Sequence, residues 1–260
     1  MPTDILLQGI QFDDKSSYQR GTRLAPPIIR EALYCDSSNL YTEELVLVNS
    51  PKIKDKGDFE VTKYFDIETI TKTHLSETSK IFTLGGDHSI TYPIIKAYHH
   101  KYPTLDILHI DAHSDLYDNF ESDPFSHACP FARIMENKFA ARLVQVGIRT
   151  LNPHQAEQAE KFGVEIHPMK SLDLSAIPKF TNPLYISLDM DGFDPAYAPG
   201  VSHHELGGLS SRQVIDLIQS IDTEVVGADI VEYNPNKDFQ NMTAFLAAKM
   251  MKEILDKMIN

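Results

Sequence analysis

An apolar segment, residues 105–110, runs directly into Asp111, His113 and Asp115, three polar side chains spaced by two. The segment has the composition of a buried strand, and alternate residues of a strand point to the same face. Two carboxylates and an imidazole would then project together where the strand ends, and burying unpaired carboxylates is too costly to serve packing. The spacing favours a cation site. A solvated acidic loop with a chance histidine remains the alternative from this segment alone.

Other predicted strands also end in acidic or imidazole side chains. Asp87 and His88 follow one apolar run, Asp189 and Asp191 follow a second, and Glu232 lies at the end of the last. In a parallel sheet all strands end at the same edge, where open α/β sheets bind their ligands. Acidic clusters interleaved with histidine at one edge strengthen the prediction of a metal site.

The elements that would position these side chains alternate between strand and helix along the chain. The patterns predict strands at residues 5–12, 81–84, 105–110, 142–149, 164–167, 184–189 and 224–233. They predict helices at 26–33, 66–80, 90–102, 127–137, 153–162, 213–221 and 242–259, with Ser210 or Ser211 capping the sixth. Residues 36–64 show only a short β-like run at 45–48. This order predicts a single α/β domain over residues 1–260, a three-layer α/β/α sandwich with a mostly parallel, doubly wound sheet.

Composition narrows the classes of function. The formal net charge is −13, which argues against binding nucleic acid phosphates and weakly suits a cationic substrate. No apolar run approaches the ~18 residues needed to span a bilayer, so no membrane partner is expected. Only two cysteines occur, Cys35 and Cys129, which is no disulfide framework. Together with the lack of a signal-like segment, these features predict a cytoplasmic protein.

Three ordered motifs resemble the signatures of the ureohydrolases, the arginase/agmatinase family. They are Gly85-Gly86-Asp87-His88-Ser89, Asp111-Ala112-His113-Ser114-Asp115 and residues 187–195 (SLDMDGFDP). Residues 198–200, 207–209 and 231–235 are similar too, so the resemblance spans the chain. It implies a cofactor of two manganese ions per subunit, with Asp111 and Asp189 bridging them. The six implied metal ligands are His88, Asp111, His113, Asp115, Asp189 and Asp191.

The donor chemistry agrees with this implication. Four carboxylates and two imidazoles form an oxygen-rich set that favours Mn²⁺ over thiolate-seeking zinc. Without metal, four like charges in close contact would raise each other's pKa values. A water bridging two such ions loses a proton near neutral pH and becomes the hydroxide that a resonance-stabilised guanidinium carbon requires as nucleophile. The expected products are urea and an amine.

Three more residues resemble groups of this family that bind substrate or move protons. Glu232 matches the glutamate that pairs with the guanidinium, a contact that a planar carboxylate can make bidentately. His127, predicted at a helix start, matches the non-ligand histidine that passes a proton to the leaving amine. Tyr117 stands where animal-type arginases place a carboxylate-binding asparagine, and is expected to border the substrate. An exposed glutamate, a surface histidine and a Cys129/His127 nucleophile are the alternatives.

The other histidines carry weaker predictions. His109 shares the face of Asp111 one step further back in the strand, and is predicted to be a satisfied core residue. His203 and His204 lie in the loop after the second acidic cluster, and either pocket or surface positions remain open for them.

The sequence favours agmatine over arginine as the substrate. Loop 116–126 carries Asp118, Glu121 and Asp123 but no lysine or arginine, so it would repel the α-carboxylate of arginine and tolerate the ammonium of agmatine. Thr150 also lacks the aspartate with which animal-type arginases bind the α-amino group. Against this, residues 25–32, 126–128 and 199–203 resemble plant-type arginases.

Hydrolysis of arginine to ornithine and urea, or of another guanidino or formimino compound, therefore remains the alternative. A non-catalytic relative would be expected to lack metal ligands, and every implied ligand is present. A phosphoesterase would need a basic clamp for phosphate, which the acidic loop and Glu232 disfavour. The family resemblance also implies a homo-oligomer, either a trimer or a hexamer.

Overall fold

The computed structural model describes residues 4–260, and these form one sheet of eight strands in the order β2-β1-β3-β8-β7-β4-β5-β6. Every strand pairing in it is parallel, which confirms the predicted α/β sheet. The strands are β1 (Ile5–Gln11), β2 (Ile53–Glu60), β3 (Lys80–Leu84), β4 (Asp106–Ile110), β5 (Arg142–Val146), β6 (Glu165–His167), β7 (Leu184–Asp189) and β8 (Val225–Val231).

Helices cover both faces of the sheet and complete the predicted three layers. They are α1 (Ala25–Tyr34), α2 (Asp66–Glu77), α3 (Thr91–His99), α4 (Pro130–Glu136), α5 (Pro153–Phe162), α6 (Ser211–Gln219) and α7 (Met242–Ile259). Helices α1, α6 and α7 share one apolar core, and α2 to α5 share the other. Within β1, Ile5 and Leu7 enter the first core and Leu6 enters the second. Alternate strand residues point to opposite faces, so one strand supplies both cores.

Local signals explain where two of these helices begin. Asn152 and Gln155 form a reciprocal capping box at the start of α5. Ser210 and Gln213 form another at α6, which confirms Ser210 as the predicted cap. Each box satisfies two backbone N–H groups that lack a partner in the first helical turn.

The segment at residues 36–64 differs from its prediction. The β-like run at 45–48 is not a strand of the sheet: Leu45 has a φ of 63° and Leu47 makes only an isolated bridge to Tyr41. The strand is instead β2, whose sequence IKDKGDFE lacks an apolar alternation. An edge strand has one neighbour and half-exposed faces, so it needs no apolar pattern.

The sheet order brings the predicted site residues together. Strands β3, β8, β7 and β4 are consecutive neighbours. Their carboxyl ends lead respectively into His88, Glu232, Asp189 and Asp111. The chain thus places residues that are far apart in sequence at one edge of the sheet.

No helix within residues 4–260 combines the length and the apolar character needed to cross a bilayer. The prediction of one domain over residues 1–260 stays a prediction, and residues 1–3 lie outside the described part of the chain.

Candidate active site

Three carboxylates converge on the imidazole of His88. Its Nδ1 lies 3.2 Å from an oxygen of Asp111, 3.2 Å from one of Asp115 and 3.0 Å from one of Asp189. The same Nδ1 is buried and forms no hydrogen bond within the described residues. A buried polar atom of this kind needs a partner, and a nitrogen facing three carboxylate oxygens is oriented as a metal ligand would be.

A second group of donors surrounds His113 and shares one residue with the first. His113 Nδ1 lies 3.1 Å from Asp191 Oδ2 and 3.5 Å from Asp111 Oδ1. The other oxygen of Asp111, Oδ2, faces His88. Asp111 therefore has one oxygen toward each histidine, although its Oδ1 also accepts from the His113 backbone N–H, and its bridging role stays a prediction. Asp189 uses Oδ2 toward His88 and Oδ1 to accept from the Asp191 N–H, so its bridging role stays a prediction.

Buried hydrogen bonds hold these ligand candidates in place. His88 Nε2 is 3.0 Å from the hydroxyl of Ser187, which donates to Asp229. His109 contacts Asp111 Oδ2 through Nε2 at 2.7 Å and Gln145 through Nδ1 at 2.9 Å. His109 is therefore a buried histidine with both nitrogens engaged, as predicted. Partners of this kind fix the orientation of groups that bind metal.

Two carboxylates of the centre, Asp189 and Asp191, carry an electrostatic cost. Burial and the nearby Asp191 and Asp111 raise the pKa of Asp189 well above its usual range. Burial also raises the pKa of Asp191, to about 6, although His113 opposes the shift. Divalent ions would remove this repulsion, so the donor set fits a pair of them.

We expect manganese to bind more tightly as the pH rises through about 6. Asp191 must lose its proton to act as a ligand, and its raised pKa means that below about pH 6 a proton competes with the metal. The increase in melting temperature on adding Mn²⁺ should be larger at about pH 7.5 than at about pH 5.5. Equal increases at both pH values would contradict the ionisation of Asp191 on binding.

A pocket of about 260 Å³ opens beside this centre. It brings together the three predicted substrate or proton-transfer residues, Tyr117, His127 and Glu232. His203, which the sequence left open, also lines it. His204 is exposed and contacts the carbonyl oxygen of Pro199 instead.

His127 lies between two partners at the pocket wall. Its Nδ1 is 2.9 Å from Glu232 Oε1, and its Nε2 is 2.8 Å from the hydroxyl of Ser17. Burial lowers the pKa of His127, but the Glu232 carboxylate, with smaller contributions from Asp115 and Asp87, outweighs it and raises the pKa to about 9. At neutral pH the ring is therefore an imidazolium with a proton to give. The predicted helix start at His127 is wrong, because the helix begins at Pro130 and His127 lies in the preceding turn.

Glu232 is held in an unusual backbone conformation. Its φ is 62°, in the left-handed region that costs a non-glycine residue about 1 kcal/mol or more. Its Oε1 accepts from the His88 backbone N–H and faces His127, whereas Oε2 is buried without a hydrogen-bond partner in the described residues. One oxygen, rather than the predicted bidentate pair, is thus available to a ligand.

The acidic loop does not present its charges to the pocket. Asp118, Glu121 and Asp123 all lie outside the pocket lining. Asp123 pairs with Lys15 at 2.5 Å, and Asp118 lies 3.1 Å from His154. Their charges therefore do not indicate which substrate the pocket accepts.

Sequence reasoning missed several pocket residues. Ser17, Gln155 and Glu205 line the pocket, beside Thr150, which the sequence had already placed near the substrate. No local pattern marks the first three. The signal for Ser17 was the shared sheet edge: it follows β1, whose carboxyl end must lie beside that of β3 in a parallel sheet.

Comparisons with known proteins agree with this site. The model of the Arginase family matches residues 3–256. The mitochondrial arginase of Medicago truncatula is 42% identical over 97% of this chain and 81% of that protein. A solved structure of arginase from the same plant superimposes with a TM-score of 0.94 at 41% identity, covering 98% of this chain and 87% of that one. An agmatinase of Bacillus anthracis is 31% identical over 97% of this chain and 91% of that protein.

Two predictions need correction against these relatives. The predicted cytoplasmic location is contradicted, because similar plant arginases are named as mitochondrial. The preference for agmatine is not supported, because the plant arginase is more similar than the agmatinase and the loop carboxylates lie outside the pocket. The recognised family itself is confirmed. With its converging histidines and carboxylates, the chain belongs to the arginase family and is a hydrolase of guanidino compounds.

Proposed function

We propose that this protein hydrolyses arginine to ornithine and urea with two manganese ions. The observation that carries the proposal is the pocket lining, which offers neutral hydrogen-bond donors and excludes the three loop carboxylates. Among the lining residues, Glu205 is the one acidic side chain that is neither an assigned metal ligand nor Glu232. The similarity of the whole chain to plant arginases supports the same substrate.

Neutral donors can recognise the α-carboxylate of arginine. Asn152 donates to the hydroxyl oxygen of Tyr117 at 2.5 Å, which leaves the hydroxyl hydrogen of Tyr117 free to donate. Gln155 uses its side-chain oxygen to accept from the Asn152 N–H, so its NH₂ group is also a donor. Tyr117 and Gln155 both line the pocket.

The nearby basic side chains are occupied elsewhere. Lys15 pairs with Asp123. Arg149 donates to backbone carbonyl oxygens, among them those of Asp191 and Glu205. A carboxylate at the pocket mouth would therefore be bound by hydroxyl and amide donors. A hydrogen bond from such a donor to a charged group contributes about 1.5–3 kcal/mol.

The residues present fit a pair of manganese ions. His88 with Asp115 and Asp189 would hold one ion, His113 with Asp191 the other, and Asp111 both. Such ions act as Lewis acids and lower the pKa of a water molecule to supply the nucleophile.

The other residues bind the substrate and move a proton. Glu232 Oε2 accepts from the guanidinium, since it is buried, unpartnered and on the pocket wall. The leaving amine needs a proton, and His127 carries one on Nε2 toward the Ser17 hydroxyl. We assign the transfer to this pair: Ser17 gives its hydrogen to the amine and regains one from His127.

Measuring kcat/KM for both substrates tests the choice. We expect arginine to exceed agmatine by about tenfold or more, a difference of ~1.4 kcal/mol that the carboxylate contacts would supply. The Tyr117→Phe variant should lower kcat/KM about fivefold or more for arginine and little for agmatine, because only arginine loses a hydrogen bond. Tyr197→Phe, outside the pocket lining, is the control. A preference for agmatine, or an equal effect of Tyr117→Phe on both substrates, would refute the assignment.

The expected homo-oligomer, a trimer or hexamer, remains part of this proposal. Light scattering on the manganese-loaded protein would measure it directly.

A further inference from the structure

The pocket holds another cluster of metal-binding side chains outside the carboxylate-rich centre. One ring nitrogen each of His127 and His203 and one carboxylate oxygen of Glu232 all lie within 4.8 Å of one another. The two rings are 5.2 Å apart between centroids. None of these residues belongs to the six assigned to the manganese pair.

A second observation points to a cation at this cluster. Glu232 is only 3% exposed, and its Oε2 has no hydrogen-bond partner among the described residues. Leaving a carboxylate oxygen buried and unpaired is costly, and a cation in the pocket would remove that cost. The ring of His203 contacts other rings, those of His127, His113 and Tyr18, within the described residues.

We infer that His127, His203 and Glu232 form a third divalent-ion site that takes Zn²⁺ in preference to Mn²⁺. Two histidines and one glutamate are a ligand set that zinc uses with its fourth position open to water. This set is richer in nitrogen than the neighbouring centre with its four carboxylates, and imidazole suits zinc better than manganese.

Zinc would replace the proton that lies between His127 Nδ1 and Glu232, and the geometry requires only small side-chain movements. Tetrahedral zinc with bonds of about 2.0–2.1 Å places its ligand atoms about 3.4 Å apart. The distances in the cluster lie on either side of that value. His127 Nδ1 lies 2.9 Å from Glu232 Oε1, and the three ligand atoms of the cluster all lie within 4.8 Å of one another.

Zinc bound here would exclude the substrate. It would take the Glu232 carboxylate to which we assign the guanidinium, so inhibition by zinc should be competitive with arginine. The inhibition rests on the proposed function, whereas the binding of the ion does not.

Equilibrium dialysis of the manganese-loaded protein against zinc sulfate tests the site without an activity measurement. We expect one additional zinc ion per subunit, with both manganese ions retained in the elemental analysis. X-ray absorption should show two imidazole ligands on that zinc. In steady-state kinetics, zinc should raise the KM for arginine and leave kcat unchanged.

Two neighbouring histidines provide matched variants. His203→Asn should weaken zinc binding by about tenfold or more, since one of three ligands is lost, with the manganese content unchanged. His204→Asn should bind zinc as tightly as the parent, because His204 is exposed and contacts Pro199 instead. Circular dichroism confirms folding, and His203→Gln serves as the second variant at that position.

Several results would overturn the inference. Zinc that binds only while manganese is released would occupy the carboxylate-rich centre instead. Zinc affinity that is equal in His203→Asn, His204→Asn and the parent would exclude His203 as a ligand. If the protein binds the one additional zinc ion but turns over no guanidino compound, the proposed function fails and this site stands.

Discussion

Asp111→Asn is expected to lower kcat for arginine by about a thousandfold or more, equal to ~4 kcal/mol of barrier, and to reduce the bound manganese. Asp111 has one oxygen toward His88 and the other toward His113, so a neutral amide there weakens both halves of the centre. Asparagine keeps the size of the side chain, which separates loss of charge from loss of packing. Elemental analysis and steady-state kinetics on the same preparation measure both effects.

Asp106→Asn is a matched control on the same strand. Asp106 is also buried but lies at the opposite end of β4, where it accepts hydrogen bonds from Asn182. This variant should lose thermal stability, since a charge-assisted hydrogen bond is weakened, and keep both manganese ions. Full activity and full metal content in Asp111→Asn would show that Asp111 does not bind the ions.

Glu232→Gln is expected to lower kcat/KM for arginine by about a hundredfold or more while both manganese ions stay bound. The neutral amide cannot pair with the guanidinium, and charge-assisted hydrogen bonds in a buried site contribute about 1.5–3 kcal/mol each. It also removes the charge that keeps the pKa of His127 near 9.

The pH profile separates these two effects. His127 carries its proton below its pKa, so the parent should lose activity as the pH rises through about 9. In Glu232→Gln the pKa of His127 falls, because burial is then opposed only by the more distant charges of Asp115 and Asp87, and activity should decline at lower pH. Glu205→Gln, on the same pocket wall, should still lose activity as the pH rises through about 9, which is the alkaline limb of the profile. An unchanged limb in Glu232→Gln, or loss of manganese, would contradict the role of Glu232.

The choice of substrate could not be predicted from the charge of the loop at residues 116–126. The sequence displays Asp118, Glu121 and Asp123 in one loop, and their total charge suggested a pocket mouth that repels a carboxylate. The fold turns all three away from the lining and pairs Asp123 with Lys15, 108 residues distant in the chain. Charge counts are visible in a sequence, whereas the direction and the pairing of side chains are not.

The polar edge strand was missed for a similar reason. Residues 53–60 join the sheet through backbone hydrogen bonds to β1, which any side chain permits. The apolar run at 45–48 looked more like a strand, yet Leu45 is 80% exposed. Hydrophobic patterns report burial, and this edge position needs little of it.

The sequence by itself determined the parallel sheet, its central strands and the histidines and carboxylates at their ends, because burial imposes local periodicity and parallel strands end at one edge. It also determined the family, through motifs that are contiguous in the chain. Only the tertiary structure decided that Ser17 lies against His127 and that His203 faces it. These contacts join segments that share no local pattern, so they follow from how the loops pack above the sheet edge.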